Sequence, residues 1–330
     1  MEAGRLQSGA ALVAASALLF ATKGVAVKLA YPHGVDALTL LALRYGIALP
    51  IFAAVWYREE RRARARGDAP WTLADYVRTA LLGISGYWLA SLLDFLGLRL
   101  IGVGLERMVL YIYPTLVVLM AALWLRQAVG RVTLIALAMT YVGVGLTCAG
   151  HAPEKGTGAD TALGVALVAG SAVAYAFFIV ASGPALKKAG PGGSQRLMAV
   201  AMTAASVVTL GQCIVVDGPM VLVRQPPAVW GIGLFLAIAA TVLPTFLLAE
   251  GIRRVGSQRA AVIGAVGPVG TLIGAWLVLH ETPTPAESIG MVVTIAAGVI
   301  MGLAPAKKPS PAATKNAGNP AAIPTPAATR

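Results

Sequence analysis

A chain of 330 residues that is 58% hydrophobic and 12% charged, with a mean hydropathy of +0.77, carries more apolar side chain than a water-facing surface can hold. That excludes an ordinary soluble domain. The formal charge of +12 would suit a nucleic-acid binder only if the cations gathered on one folded polar face, and here they fall in the connections between apolar stretches.

About 20 apolar residues cross a bilayer as a helix, and ten such stretches follow one another: 8–30, 37–57, 79–98, 103–125, 132–150, 163–186, 197–216, 229–251, 260–279 and 286–303. Lipid offers backbone groups no partner, and the polar/apolar alternation of barrel strands is missing, so the spans are expected as helices. No small-residue cleavage site closes the first span, which is expected to be retained. Cys148 and Cys213 lie in or at the end of apolar spans without a CxxC spacing, so neither a disulfide framework nor a zinc site is suggested. From 305 to 330 the chain is rich in Ala and Pro and is expected as a disordered tail.

Basic residues are retained on the cytoplasmic side. Placing the N-terminus inside puts 19 of the 26 Lys and Arg residues in the cytoplasm, including the run from Arg58 to Arg66, which suits contact with anionic headgroups. Both termini are therefore expected in the cytoplasm.

At an offset of 154, Gly97, Arg99 and Gly102 fall on Gly251, Arg253 and Gly256, and Pro114 falls on Pro268 without a gap. The expected organisation is a first repeat over 1–150, a second over 151–304 and the tail over 305–330. Five spans per half is odd, so the second half enters the membrane from the other side. The expected fold is an all-α integral membrane protein of ten transmembrane helices in two inverted five-helix repeats, an arrangement that can open to either side.

Charges inside spans need a partner or a wet cavity. Lys23, Arg44, Asp94, Glu106 and Arg107 share an overlapping depth in the outer half, where mutual ion pairs or a gate are possible. Snorkelling to the surface explains Asp94, Glu106 and Arg107 equally well. Lys23 and Arg44 lie deeper and are the better functional candidates. Glu250 has Arg253 and Arg254 within one turn, and a local ion pair accounts for it.

Tyr87, Trp88, Tyr111 and Tyr175 fall mid-span, where an interfacial belt does not explain them; they are expected to line a solute cavity or to pack the core. Pro114 and Pro268 interrupt the fourth and ninth spans, and Gly264, Gly267, Gly270 and Gly274 give the latter a bare face that suits a hinge or a close approach. His33, His151 and His280 lie in connections or at span ends, and no Walker loop is present. No metal, cofactor or enzymatic activity is expected. The partners expected are a small-molecule substrate and membrane lipid, without nucleic acid.

The stretch from Leu18 to Lys28, the Leu43-Arg44-Tyr45 triplet, the two prolines and Leu279-His280-Glu281 together resemble the drug/metabolite transporter superfamily, in its ten-helix EamA-type form. The resemblance covers residues 8–303. It implies a basket with a central cavity formed by helices 1, 3, 4, 6, 8 and 9, with helices 5 and 10 outside. It also implies secondary transport of a small polar or amphipathic metabolite, such as an amino acid exported across the inner membrane. Under it Lys23, Tyr87, Tyr111 and Tyr175 match cavity-lining positions. A membrane-embedded sensor or scaffold that binds a metabolite without moving it is the alternative, and translocation of a lipid-linked carrier is a third.

Overall fold

The computed structural model describes residues 2–98, 100–101, 106, 109–148, 158–279 and 284–303; Arg107, His280, Glu281 and the tail expected over 305–330 lie outside the described residues. Among the described residues there is no strand. Helix α1 is Glu2–Ala30. Helix α2, Ala37–Ala65, starts where the Asp36 carboxylate accepts the backbone N–H groups of Leu38 and Thr39, and it runs on past the apolar stretch into its basic end. Helix α3 is one rod of three parts, Leu73–Gly83, a π-helical turn Ile84–Leu89 and Ala90–Leu98, begun by a reciprocal cap between Thr72 and Asp75. Then come α4 (Tyr113–Trp124), α5 (Arg131–Cys148) and α6 (Gly158–Val216). Helix α7 repeats the design of α3, with Pro227–Ala237, a π-helical turn Ile238–Val242 and Leu243–Val255. The last are α8 (Ser257–Gly264), α9 (Gly267–Leu279) and α10 (Pro285–Leu303).

Among the described residues six stretches are long and apolar enough to cross a bilayer: Gly4–Val27, Leu38–Ala65, Leu73–Gly97, Gly158–Lys187, Gly193–Val216 and Pro227–Val255. Tyr113–Trp124, Arg131–Leu146 and Ser288–Leu303 are shorter apolar helices. Helix α6 contains two of the six. Drawn as a straight rod, it would hold Val168 and Gln212 about 66 Å apart at 1.5 Å per residue. Yet Val168 packs on Gly97 and Gln212 bonds Trp88, both on α3 and only about 14 Å apart along it. The chain therefore reverses between its two apolar arms, Gly158–Lys187 and Gly193–Val216. The first arm descends α3 from Gly97 to Gly86, and the second returns past Gly83 to Trp88.

Helices pack by close backbone approach, which only small residues permit in a membrane. Near the end of α3, Gly97 rests on Gly164 and Val168 of α6; near the end of α7, Gly251 rests on Gly9 and Val13 of α1. Seven residues before each of these glycines a carbonyl accepts a serine hydroxyl from the same partner helix: Ser171 to Ala90, and Ser16 to Pro244, both at 2.7 Å. The two constellations superpose at 154 between α3 and α7, and at 155 between α1 and α6. The two π-helical turns share the 154 register, as Ile84 falls on Ile238.

The two glycine contacts lie at opposite ends of the bundle. Next to Gly251, the Glu250 carboxylate accepts a bond from Ser194 at 3.1 Å, and two residues on Arg196 pairs with Glu60 at 2.6 Å and reaches Tyr76. Tyr76 belongs to the beginning of α3, whereas Gly97 belongs to its end. Helices α5 and α10 pack chiefly on each other, and the largest buried cluster is centred on Tyr45, Phe52, Tyr87, Tyr113, Phe178 and Met198.

Candidate functional site

Between the helices lies a chamber of about 190 Å³. Its walls come from α1 (Ser16, Phe20, Lys23), α3 (Gly86, Tyr87, Ser91, Asp94), Tyr111 in the turn before α4 and Tyr113 at its start, α6 (Ser171, Tyr175), α7 (Leu248), α8 and α9. Helix α2 adds Arg44 and Tyr45, which extends the ring of cavity helices implied by the resemblance by one.

Aromatic rings form a continuous ladder around it. Tyr111 and Tyr113 are 6.0 Å apart, Tyr113 and Tyr175 meet edge to face at 5.3 Å, Tyr175 stacks on Phe178 at 6.2 Å, and Phe178 meets Tyr87 edge to face at 5.0 Å. Glycines on the far side leave space for the hydroxyls: a Cβ at Gly264 would lie 3.1 Å from the Tyr113 Oη, and one at Gly267 would lie 2.8 Å from the Tyr111 Oη. Tyr113 donates to the Ala261 carbonyl at 3.2 Å, which ties α4 to α8. The bare face of the ninth span is thus used twice, since Gly270 and Gly274 seat Ala21 and Val25 of α1.

The structure brings Lys23, Arg44, Tyr87, Asp94, Tyr111, Tyr175 and Gly267 to this one chamber. Glu106 is buried but does not line it. Trp88 is held elsewhere: its indole N–H donates to Gln212 at 2.8 Å, on the second arm of α6. Neighbouring helical residues point about 100° apart, and of this adjacent pair Tyr87 lines the chamber while Trp88 is not among its lining residues. The breaks at Pro114 and Pro268 take one form. The chain turns at 111–112 and again at 265–266, and in each case the proline is the second residue of the new helix, where its missing N–H costs no bond.

Arg44 is buried, and its contacts run to the π-helical turn of α7. Its Nε donates to the Thr241 hydroxyl, its Nη2 to the Ala240 carbonyl at 3.4 Å, and its guanidinium lies 5.1 Å from the Tyr45 ring centre. Pro244 has no N–H to offer Ala240 four residues back, so that carbonyl is open to another donor. Sequence reading missed Tyr45, Tyr113, Ser16, Ser171 and both π-helical turns. The two serines were within reach, because comparing the first span with the sixth at 155 instead of 154 aligns Gly9, Val13 and Ser16 with Gly164, Val168 and Ser171.

One end of the bundle is sealed by polar contacts. Arg254 bonds Glu250 at 2.7 Å and the Ser8 hydroxyl at 2.9 Å, and Arg253 pairs with the same carboxylate. Beside them Glu60 takes Arg196 and the Tyr76 hydroxyl, and the Arg196 guanidinium lies 4.2 Å from the Trp71 ring centre.

A bundle whose two halves repeat one packing scheme around a polar, aromatic chamber defines a membrane-embedded, solute-handling protein. The chain belongs to the EamA-like transporter family, which matches it twice, over residues 7–149 and 162–303. The chain is similar to "Uncharacterized transporter YcbK" of Bacillus subtilis (strain 168), at 29% identity over 270 residues, covering 79% of this chain and 82% of that protein. Its fold is shared with a protein solved by crystallography, at a TM-score of 0.71 and 19% identity over 89% of this chain and 96% of the other. The protein is a multi-pass membrane transporter by family.

Proposed function

We propose that the chain is a secondary transporter with ten transmembrane helices in two inverted five-helix repeats, 1–150 and 151–304. In this reading it moves a small polar or amphipathic metabolite, an amino acid or related compound, out across the cytoplasmic membrane by alternating access, with both termini cytoplasmic. The observation that carries the reading is the doubled constellation of glycine contact, serine bond and π-helical turn, set at opposite ends around a single chamber. Two halves with equivalent packing and opposite orientation have two global arrangements of similar energy, one open to each side. The sealed end, held by Glu250 with Arg253 and Arg254 and by Glu60 with Arg196, is the cytoplasmic one under the positive-inside orientation.

Lys23, Tyr87, Tyr111 and Tyr175 are the solute-facing groups in this reading. The chain breaks before Pro114 and Pro268 act as hinges, with Gly267 beside the second and Gly270 as its contact with α1. The test is counterflow in proteoliposomes preloaded with single metabolites, with labelled solute outside. Uptake of at least one metabolite above empty liposomes is expected. Saturable binding without any flux would replace transport by the sensor or scaffold reading.

A further inference from the structure

A second cavity lies outside the chamber, on the outer surface of the bundle. It is a groove of about 440 Å³ between α1, the segment from α8 into α9, and α10. Its rim is made by Leu18, Ile273, Ile295, Val299 and Leu303, all exposed. The groove is therefore continuous with the apolar surface that a multi-pass membrane protein turns to hydrocarbon. Among the described residues Gln7 is the one polar side chain on its walls. Along α1 it runs from Gln7 to Leu18, about 16 Å at 1.5 Å per residue. That is half of the roughly 30 Å hydrocarbon core, the length of one leaflet. Its Gln7 end is the end of the bundle sealed by Glu250 and Arg254, since Arg254 bonds the adjoining Ser8.

The groove and the chamber share a wall, and each element of it has one face on either side. On α1, Val13, Ala17 and Phe20 line the chamber, while Ala10, Ala14 and Leu18 line the groove. From α8 into α9, Gly264 and Gly267 line the chamber, while Ile263, Val266 and Val269 line the groove. The chain break at 265–266 is thus a partition one helix thick, with the polar chamber behind it and the apolar groove in front.

The walls decide what fits. A bound water needs about two to four polar partners, and Gln7 alone offers itself. The floor is closed where α10 meets its neighbours: a Cβ at Gly302 would stand 3.2 Å from the Ala10 Cβ, and one at Gly298 would stand 3.9 Å from the Ile263 carbonyl oxygen. A helix of a second copy, about 10 Å across with its side chains, would ride on the rim. A single hydrocarbon chain reaches the floor and gives the apolar walls their dispersion contacts.

We propose that this groove is a binding site for one acyl chain of a membrane phospholipid, drawn from the leaflet at the sealed end and held by its hydrocarbon and not by its headgroup. The acyl chain lies along Ala14 and Val266 and bears on the break before Pro268 from the side opposite the chamber. The assignment rests on the membrane class of the protein, and neither transport nor any solute enters it.

The experiment uses the full chain in proteoliposomes doped with phosphatidylcholine or phosphatidylglycerol that carries a photoreactive diazirine at the middle of one acyl chain. After illumination, peptide mass spectrometry reads the yield of adduct at each residue. Leu18, Val266 and Ile295 are expected to be labelled at least fivefold above Ile135 and Val142, which are exposed apolar residues of α5 outside the groove. The two headgroups are expected to give yields within threefold of each other. Gly298 has room for a side chain, and G298L, which fills the groove from α10, is expected to cut labelling there at least fivefold with Ile135 and Val142 unchanged. A11F fills it from α1 at an exposed position and is expected to do the same; it serves where G298L does not reach the membrane.

Labelling of the groove less than fivefold above the α5 positions overturns the assignment, since that is the result of bulk lipid against any exposed surface. Labelling that survives in the filled variant overturns it as well, and a difference of more than threefold between headgroups overturns recognition by the hydrocarbon alone. If V299C instead links two copies of the chain through a short bismaleimide while wild type does not, the occupant is a second copy and the proposal fails. None of these outcomes bears on transport, which the counterflow assay tests separately.

Discussion

Replacing Gly97 or Gly251 by alanine tests the packing scheme at its tightest points. A Cβ at Gly97 would stand 2.5 Å from Val168 Cγ2 and 3.0 Å from the Gly164 carbonyl oxygen. At Gly251 it would overlap Val13 Cγ2 and stand 3.3 Å from the Gly9 carbonyl oxygen. A valine on a helix has one strongly preferred rotamer and cannot turn away, and a backbone oxygen cannot be trimmed, so the helices must part. Overpacking of this kind costs about 1–3 kcal/mol. G97A is expected to be the costlier of the two, because its carbonyl neighbour is nearer. Trimming the valine removes the worse of the two contacts: in the double variants G97A/V168A and G251A/V13A, about 1 kcal/mol or more of coupling is expected relative to the sum of the single changes. The assay is reversible unfolding of the purified protein in mixed SDS micelles, followed by loss of helicity. Single glycine variants within about 0.5 kcal/mol of wild type, or strictly additive double variants, would refute the claim that these glycines exist for close approach.

Other outcomes follow from the same geometry. G83A places its Cβ on the backbone of Ala201, so it is expected to exceed the cost of G97A and to find no rescue in side-chain trimming; the same unfolding series measures both. S16A and S171A each remove one serine bond to a backbone carbonyl, and a loss of about 1 kcal/mol apiece, equal between the two, is expected from the same titration. In the Glu60–Arg196 pair, Arg196 also stacks on Trp71, so R196M is expected to cost less than R196A; thermal inactivation of the two variants in detergent orders them, and equal loss would show that stacking contributes nothing. Y113F removes one bond to the Ala261 carbonyl and is expected to lower stability by about 1 kcal/mol while leaving the ring ladder in place, as near-ultraviolet circular dichroism would report.

The membrane class and the helical fold were legible in the sequence because both rest on local quantities: the length of an apolar run, and the need of every backbone group for an internal partner when water is absent. The 154-residue register was legible through Gly97/Gly251 and Pro114/Pro268, and the same pairs occupy like positions in the structure, where a side chain or an N–H is not tolerated. Tertiary structure alone decided which residues share the chamber. Tyr87 and Trp88 are adjacent in sequence and equally suited to a cavity, yet one meets Phe178 and the chamber while the other bonds Gln212, a choice made by the rotation of α3 against the two arms of α6. The π-helical turns were equally hidden. Each turn is met by a residue distant in sequence, Phe178 packing on Gly86 in one and Arg44 bonding the Ala240 carbonyl in the other, and such contacts are not visible along the chain.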